Sequence, residues 1–337
     1  MLSRRIPHDA VPNAWARLLD ERRAAGARLL DLSETNPTRV GLGGAGEEEL
    51  AALAAPEALV YAPDPRGSAT ARAAVAGYYA ARGLAVAPEH IVLTASTSES
   101  YAHLFRLLAD PGGTFLVPTP SYPLFEPLAA LEGVRLRPYR IAWDGAWHLD
   151  LAALEQGFGP DVRGVIVVQP NHPTGSCVEG AEREILEALC ERHGAAIIAD
   201  EVFGDFPRPG REAPLPSFAE GARVPTFVLS GLSKVCGMPQ MKLGWIAACG
   251  PEPAVTEALR GLGWIADLFL SVSTSVQAAL PQLLEARHAF QRAMRARLAE
   301  NLASLERLVG RRPELSLLPA DGGWAAVLRV PAVRGDE

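Results

Sequence analysis

The sequence predicts an α/β protein: a large domain built on a mainly parallel, doubly wound sheet, with a smaller α+β domain formed by both chain ends. Three observations support that class. Seven short, strongly apolar runs fall between residues 91 and 248, as expected of strands covered on both faces. Helical spacing separates several of these runs, which is the pattern of β-α-β units. The length of 337 residues exceeds one typical domain and leaves material for a second body.

Taken in order, residues 1–59 are assigned to the small domain. They hold an amphipathic helix over 14–28, a short apolar strand LLDL (29–32), the turn-rich stretch SETNPT (33–38), and a loop carrying Gly41, Gly43, Gly44 and Gly46. The large domain spans 60–260, opening with a helix over 69–82. Its strands are read at 91–94, 114–118, 134–139, 164–169, 195–200, 226–230 and 243–248, with helices at 98–109, 122–132 and 180–193 between them. Residues 261–337 form the remaining, incomplete small domain. Helices at 252–266 and 274–309 lead into it, the second kinked or broken at Pro281, followed by strands in LSLLP and WAAVLRV.

Composition excludes several function classes. A formal net charge of -7 offers no basic face for phosphate backbones, so nucleic acid is not an expected partner. The apolar runs GVIVV (164–168) and AAIIA (195–199) are far shorter than the roughly 18 residues that span a bilayer, so no membrane association is expected. The N-terminal stretch lacks the apolar core of a secretory signal, and a cytoplasmic location is expected. Cys177, Cys190, Cys236 and Cys249 show no CxxC spacing, which fits structural thiols and neither a disulfide framework nor a metal site. Of 32 basic side chains only Lys234 and Lys242 are lysine. In a chain that otherwise writes arginine, a retained lysine points to a task a guanidinium cannot do, such as forming an imine.

Ligands of doubly wound sheets bind beyond the carboxyl ends of the strands, and four polar clusters fall there. TASTSES (94–100) opens a helix, where Ser96, Thr97 and Ser98 either hold an anion at free backbone amides or simply cap the helix. QPNHPTG (169–175) follows the fourth strand. DEVF (200–203) places Asp200 at a strand end, either as an exposed acid or as a buried carboxylate that needs a cationic partner, while Glu201 points to the opposite face. SGLSKVCG (230–237) carries Lys234.

Together with YxPxxxG from Tyr61, PSYPLF around Tyr122 and KLGW from Lys242, this order resembles the fold-type I pyridoxal-phosphate enzymes, specifically the class I/II aminotransferases, over about residues 30–330. The resemblance implies a three-layer αβα large domain that binds pyridoxal 5′-phosphate, and transfer of an amino group between an amino acid and a 2-oxo acid. It implies that Lys234 carries the cofactor as a Schiff base and shuttles the reacting proton, and that Asp200 pairs with the pyridinium nitrogen. Ser96, Thr97, Ser233 and Lys242 would hold the phosphate, and Tyr122 would stack on the ring. Tyr61 would reach a neighbouring subunit's phosphate, making the protein a homodimer with shared sites, and Asn36 would lie over the substrate.

Several positions depart from the family pattern. Where an asparagine usually precedes PTG this chain has His172, with Asn171 one earlier, and the usual tyrosine three residues after the aspartate is Phe203. Both habitual donors to the cofactor's ring oxygen are therefore altered. Lys242 stands where an arginine fork is usual. The chain also resembles a family member truncated at its C-terminus, before the arginine that grips the substrate carboxylate; Arg329 and Arg334 are read as surface residues. A lyase or decarboxylase on the same scaffold, or a catalytically degenerate domain, are the alternative readings.

Overall fold

The computed structural model describes residues 3, 5, 6 and 14–332. In chain order its elements are α1 (Ala14–Ala24), α2 (Glu47–Ala52), α3 (Ala69–Ala80), β1 (Ile91–Thr94), α4 (Thr97–Leu108), β2 (Thr114–Thr119), α5 (Phe125–Glu132), β3 (Arg135–Trp143), β4 (Trp147–Leu149), α6 (Leu151–Gly157), β5 (Val162–Val168), α7 (Gly180–His193), β6 (Ala196–Asp200), β7 (Thr226–Gly231), α8 (Leu232–Val235), β8 (Gly244–Cys249), α9 (Glu252–Asp267), α10 (Thr274–Val309), β9 (Ser316–Leu318) and β10 (Val327–Arg329).

Eight strands form one sheet in the order β1-β8-β7-β6-β5-β2-β3-β4. The consecutive pairs β7–β6, β6–β5, β5–β2 and β2–β3 are parallel, whereas β8 runs antiparallel between β1 and β7, and β4 antiparallel to β3. Strand alternation divides the interior into two layers. Val165, Val167, Ile197, Ala199 and Val228 face the side covered by α3, α7 and α10, while Ile166, Ile198, Phe227 and Leu229 face α4, α5 and α9. The result is the doubly wound, three-layer large domain that the apolar runs predict, and β9 and β10 form a separate two-stranded sheet.

Four expectations are corrected. Residues 29–32 are not a strand: Leu30 is 76% and Leu32 97% exposed, and among the described residues no strand lies beside them to take up their backbone groups. The first helix stops at Ala24 because Gly26 adopts a left-handed conformation, φ 71°. Pro281 neither breaks nor interrupts α10. A mid-helix proline costs about 3 kcal/mol, and the burial of Ala279, Leu280, Leu283 and Leu284 around it offsets that loss. The helix expected at 122–132 starts at Phe125, since Tyr122 precedes Pro123 and is pushed out of helical conformation.

Candidate active site

The carboxyl ends of β1, β5, β6 and β7 meet around one cavity of about 240 Å³. Asp200 closes β6 on the α4 side of the sheet. Tyr101 donates its hydroxyl to Asp200 Oδ2 at 3.1 Å, and the Val202 N–H donates to Oδ1 at 3.2 Å. Burial pushes this carboxyl up to about 6, only partly opposed by those two hydrogen bonds and by the charge of Lys234. Glu201 does point to the other face. It accepts from Ser217 Oγ at 2.7 Å and the Phe218 N–H at 2.6 Å, with Arg82 at 3.9 Å.

Lys234 sits on the single turn α8, entered directly from β7. That abrupt turn needs Gly231, because a Cβ there would come within 2.9 Å of Gly244 Cα and Leu243 O. Burial lowers the pKa of the Lys234 amine, with the Asp200 charge opposing. The amine lies 5.3 Å from the ring centre of Trp324 and 5.9 Å from that of Phe203.

The third wall is the start of α4. Ser96 is its N-cap, accepting from the Glu99 N–H at 3.2 Å, and Glu99 in turn accepts from the Ala95 N–H at 2.6 Å. The first-turn amides of Thr97 and Ser98 have no acceptor within the helix, and the helix dipole adds positive potential there. Gly244 of β8 lies beneath them. A Cβ on it would stand 3.2 Å from Ser96 C and Thr97 N and 3.1 Å from Ser230 O, so glycine keeps this shelf open.

The cavity thus brings together Lys234, Asp200, Ser96, Thr97, Tyr122, His172, Phe203 and Ser233. The His172 ring stacks on Phe203 at 5.8 Å, and among the described residues its nitrogens have no hydrogen-bond partner. Burial and the Lys234 charge lower its pKa, which favours a neutral imidazole. Burial raises the pKa of Tyr122, and the Asp200 charge adds to that effect.

Four expected residues lie elsewhere. Asn171 turns away from the cavity, donating to Pro120 O at 3.1 Å and Thr174 Oγ1 at 2.9 Å. Lys242 is exposed, with a left-handed backbone, φ 52°, and does not line the cavity. Tyr61 is 82% exposed on a separate cavity of about 270 Å³, shared with Leu270, Ser271 and Gln277. Asn36 caps the 3-10 turn Pro37–Val40 by accepting from the Thr38 N–H at 3.0 Å, and its neighbour Thr35 lines the central cavity instead. Arg329 is exposed on β10, within 3.4 Å of Ser316 Oγ, while Arg334 lies outside the described residues.

Sequence reasoning missed Thr35, Gly231, Gly244 and Trp324. The available signals were glycines at strand ends, in SGLSK and KLGW, and the Gly322–Gly323 pair before Trp324. The first of that pair packs where a Cβ would meet Phe206 O at 2.7 Å, which brings Trp324 against Phe203.

Residues 34–334 match the model of the family described as aminotransferase class I and II. The chain belongs to that family. It is 29% identical over 201 residues to nicotianamine aminotransferase 1 of Oryza sativa, covering 58% of this chain and 40% of that protein. It is 32% identical over 205 residues to the S-alkyl-thiohydroximate lyase of Arabidopsis thaliana, covering 59% and 43%. The chain therefore spans less than half the length of these two relatives. Among solved structures, an alanine aminotransferase from Pyrococcus furiosus superposes with a TM-score of 0.86 at 22% identity, covering 100% of this chain and 86% of that one. This last likeness establishes the fold.

Class I and II aminotransferases use pyridoxal 5′-phosphate, and the residues present fit it. A primary amine with lowered pKa, a buried carboxyl lacking a cation in hydrogen-bond contact, and an open glycine-floored helix N-terminus match, respectively, an aldehyde, a protonated ring nitrogen and a phosphate. Among the described residues no cluster of three His, Cys, Asp or Glu could hold a metal ion.

Proposed function

We propose that this chain transfers an amino group between an amino acid and a 2-oxo acid, using pyridoxal phosphate held at Lys234. The observation that carries the reading is the pairing of one of only two lysines with a buried, under-compensated Asp200 carboxyl in a single cavity. Bound pyridoxal phosphate supplies an aldehyde and an electron-withdrawing ring. Asp200 then gains the cationic N–H partner its buried carboxyl lacks and keeps that nitrogen protonated. The lowered pKa of Lys234 leaves more of its amine unprotonated near neutral pH, ready to capture the aldehyde and, once freed, to accept the substrate's α-proton. Ser96, Thr97 and Ser233 hold the phosphate at the start of α4 and on α8, with Lys242 a more distant cation. Tyr122 covers one ring face. His172, standing where Asn171 does not reach, offers the ring-oxygen contact that Phe203 cannot. Asn36 belongs to the segment over the substrate.

Other parts of the reading are a homodimer, a cytoplasmic location, and a division at residues 1–59, 60–260 and 261–337. Exposed Leu30, Leu32, Leu59, Val60 and Tyr61 support the dimer, since apolar surface of this kind calls for a partner. Four free cysteines suit a reducing compartment.

Incubation with an amino acid panel and a 2-oxo acid tests the activity. The expected result is a new amino acid and a new oxo acid, formed in equal amounts and lost in Lys234→Ala. The relative named as a lyase favours a second reading, in which the chain cleaves its substrate without consuming a 2-oxo acid. Product formation in the absence of any oxo acid would decide for it.

A further inference from the structure

The geometry points to Gln291 as a positioning residue for Lys234: from α10, its amide ties the end of the lysine-bearing turn to the loop that follows Asp200. Gln291 is buried, and its Nε2 donates to Val235 O at 3.0 Å and to Asp205 Oδ2 at 3.1 Å. Val235 is the residue after Lys234 and the last of α8. A four-residue helix leaves its terminal carbonyls without internal donors, so this amide supplies a partner the turn cannot provide for itself. Asp205 lies five residues past Asp200, and its carboxylate also accepts the Tyr78 hydroxyl at 3.0 Å and faces Arg82 Nε at 3.6 Å. Its backbone carbonyl accepts from Arg295, one turn further along α10, at 2.6 Å.

A second contact reinforces the first. Phe290, next to Gln291, presses on Gly237 so closely that a Cβ there would come within 2.4 Å of its ring, and Gly237 holds φ 65°. Residues 235–237 are therefore fixed from one side by α10. That helix is 36 residues long and continues past Gln291 to Val309, so its placement sets where the Lys234 amine stands relative to Asp200 and Trp324. None of this network opens onto the cavity, so Gln291 acts through α8 and not on substrate.

The inference rests on Lys234 being the reactive amine, but its test needs no cofactor. With only two lysines in the chain, competitive acetylation of the cofactor-free protein across pH, read by mass spectrometry, follows Lys234 with Lys242 as internal control. Gln291→Met keeps bulk and removes both donors. Once α8 is loosened the amine gains solvent, and the midpoint of Lys234 labelling moves up toward an ordinary lysine. The expected change is a roughly threefold or greater loss of reactive amine at fixed pH, with Lys242 unmoved. Gln291→Asn, which keeps the donors but retracts them, falls between Met and wild type and decides the matter should the Met variant not fold. A melting temperature that drops in both variants while the Lys234 midpoint stays put would overturn the inference. Absence of amino transfer alongside the expected midpoint shift would sink the proposed reaction and leave the positioning role standing.

Discussion

Asp200 stores the clearest conflict at the scale of single residues. Its carboxyl is pushed up to about 6 from an ordinary 3.8, so the folded chain holds a proton there that the unfolded chain releases earlier. Stability attached to this group is present below the unfolded value and is lost as pH rises through about 6. Asp200→Asn removes the ionisation. In the cofactor-free protein it is expected to match wild type below pH 4 and to exceed it above pH 6 by about 3 kcal/mol, on the basis of 1.36 kcal/mol per pH unit. Thermal melts across pH check this, and a variant less stable than wild type at neutral pH would contradict it. Much of the site was legible at this scale because chemistry restricts the choice: a rare lysine, an acid at an apolar strand end, and hydroxyls opening a helix. Asn171 and Asn36 were not, since side-chain direction in an irregular turn is set by local partners such as Pro120 O and the Thr38 N–H, which spacing does not reveal.

Among the elements, α10 shows tertiary packing overriding local propensity. Pro281 is exposed and removes one ladder hydrogen bond, while its neighbours Leu280, Leu283 and Leu284 are buried. Pro281→Ala restores the missing N–H without touching the buried face. A gain of roughly 1–3 kcal/mol and a melting temperature a few degrees higher are expected; an unchanged or lower value would show that the ring is needed for the helix entry. The same competition explains which elements could be read. Strands β5, β6 and β7 carry apolar cores, GVIVV, AIIA and FVL, that could hardly lie elsewhere than between two layers. LLDL is also mostly apolar, yet among the described residues no neighbouring strand pairs with it. The three-residue β4 and the short α6 escaped notice because neither is long enough to show a period.

At the scale of the whole molecule, the cavity lies on the large sheet, and Trp324, after β9, packs against Phe203 with its ring 5.3 Å from the Lys234 amine. Tyr61 and the Leu270–Ser271 loop line a second cavity that opens to solvent. If that face meets another copy, sedimentation at micromolar concentration gives twice the 35.9 kDa chain mass. Charge substitutions at Leu59 and Tyr61 would then return it to a monomer. A monomer at every concentration would remove the shared-site part of the proposal.

In the proposed reaction Lys234 captures pyridoxal phosphate and, once freed, moves the proton of an amino acid substrate. The most direct measurement is the absorption spectrum of the purified chain with added pyridoxal phosphate, for wild type and Lys234→Ala, before and after amino acids are supplied. A visible band that needs Lys234, bleaches with at least one amino acid and returns with a 2-oxo acid is the predicted result. A chain that gives no such band, or gives the same one without Lys234, would contradict the account.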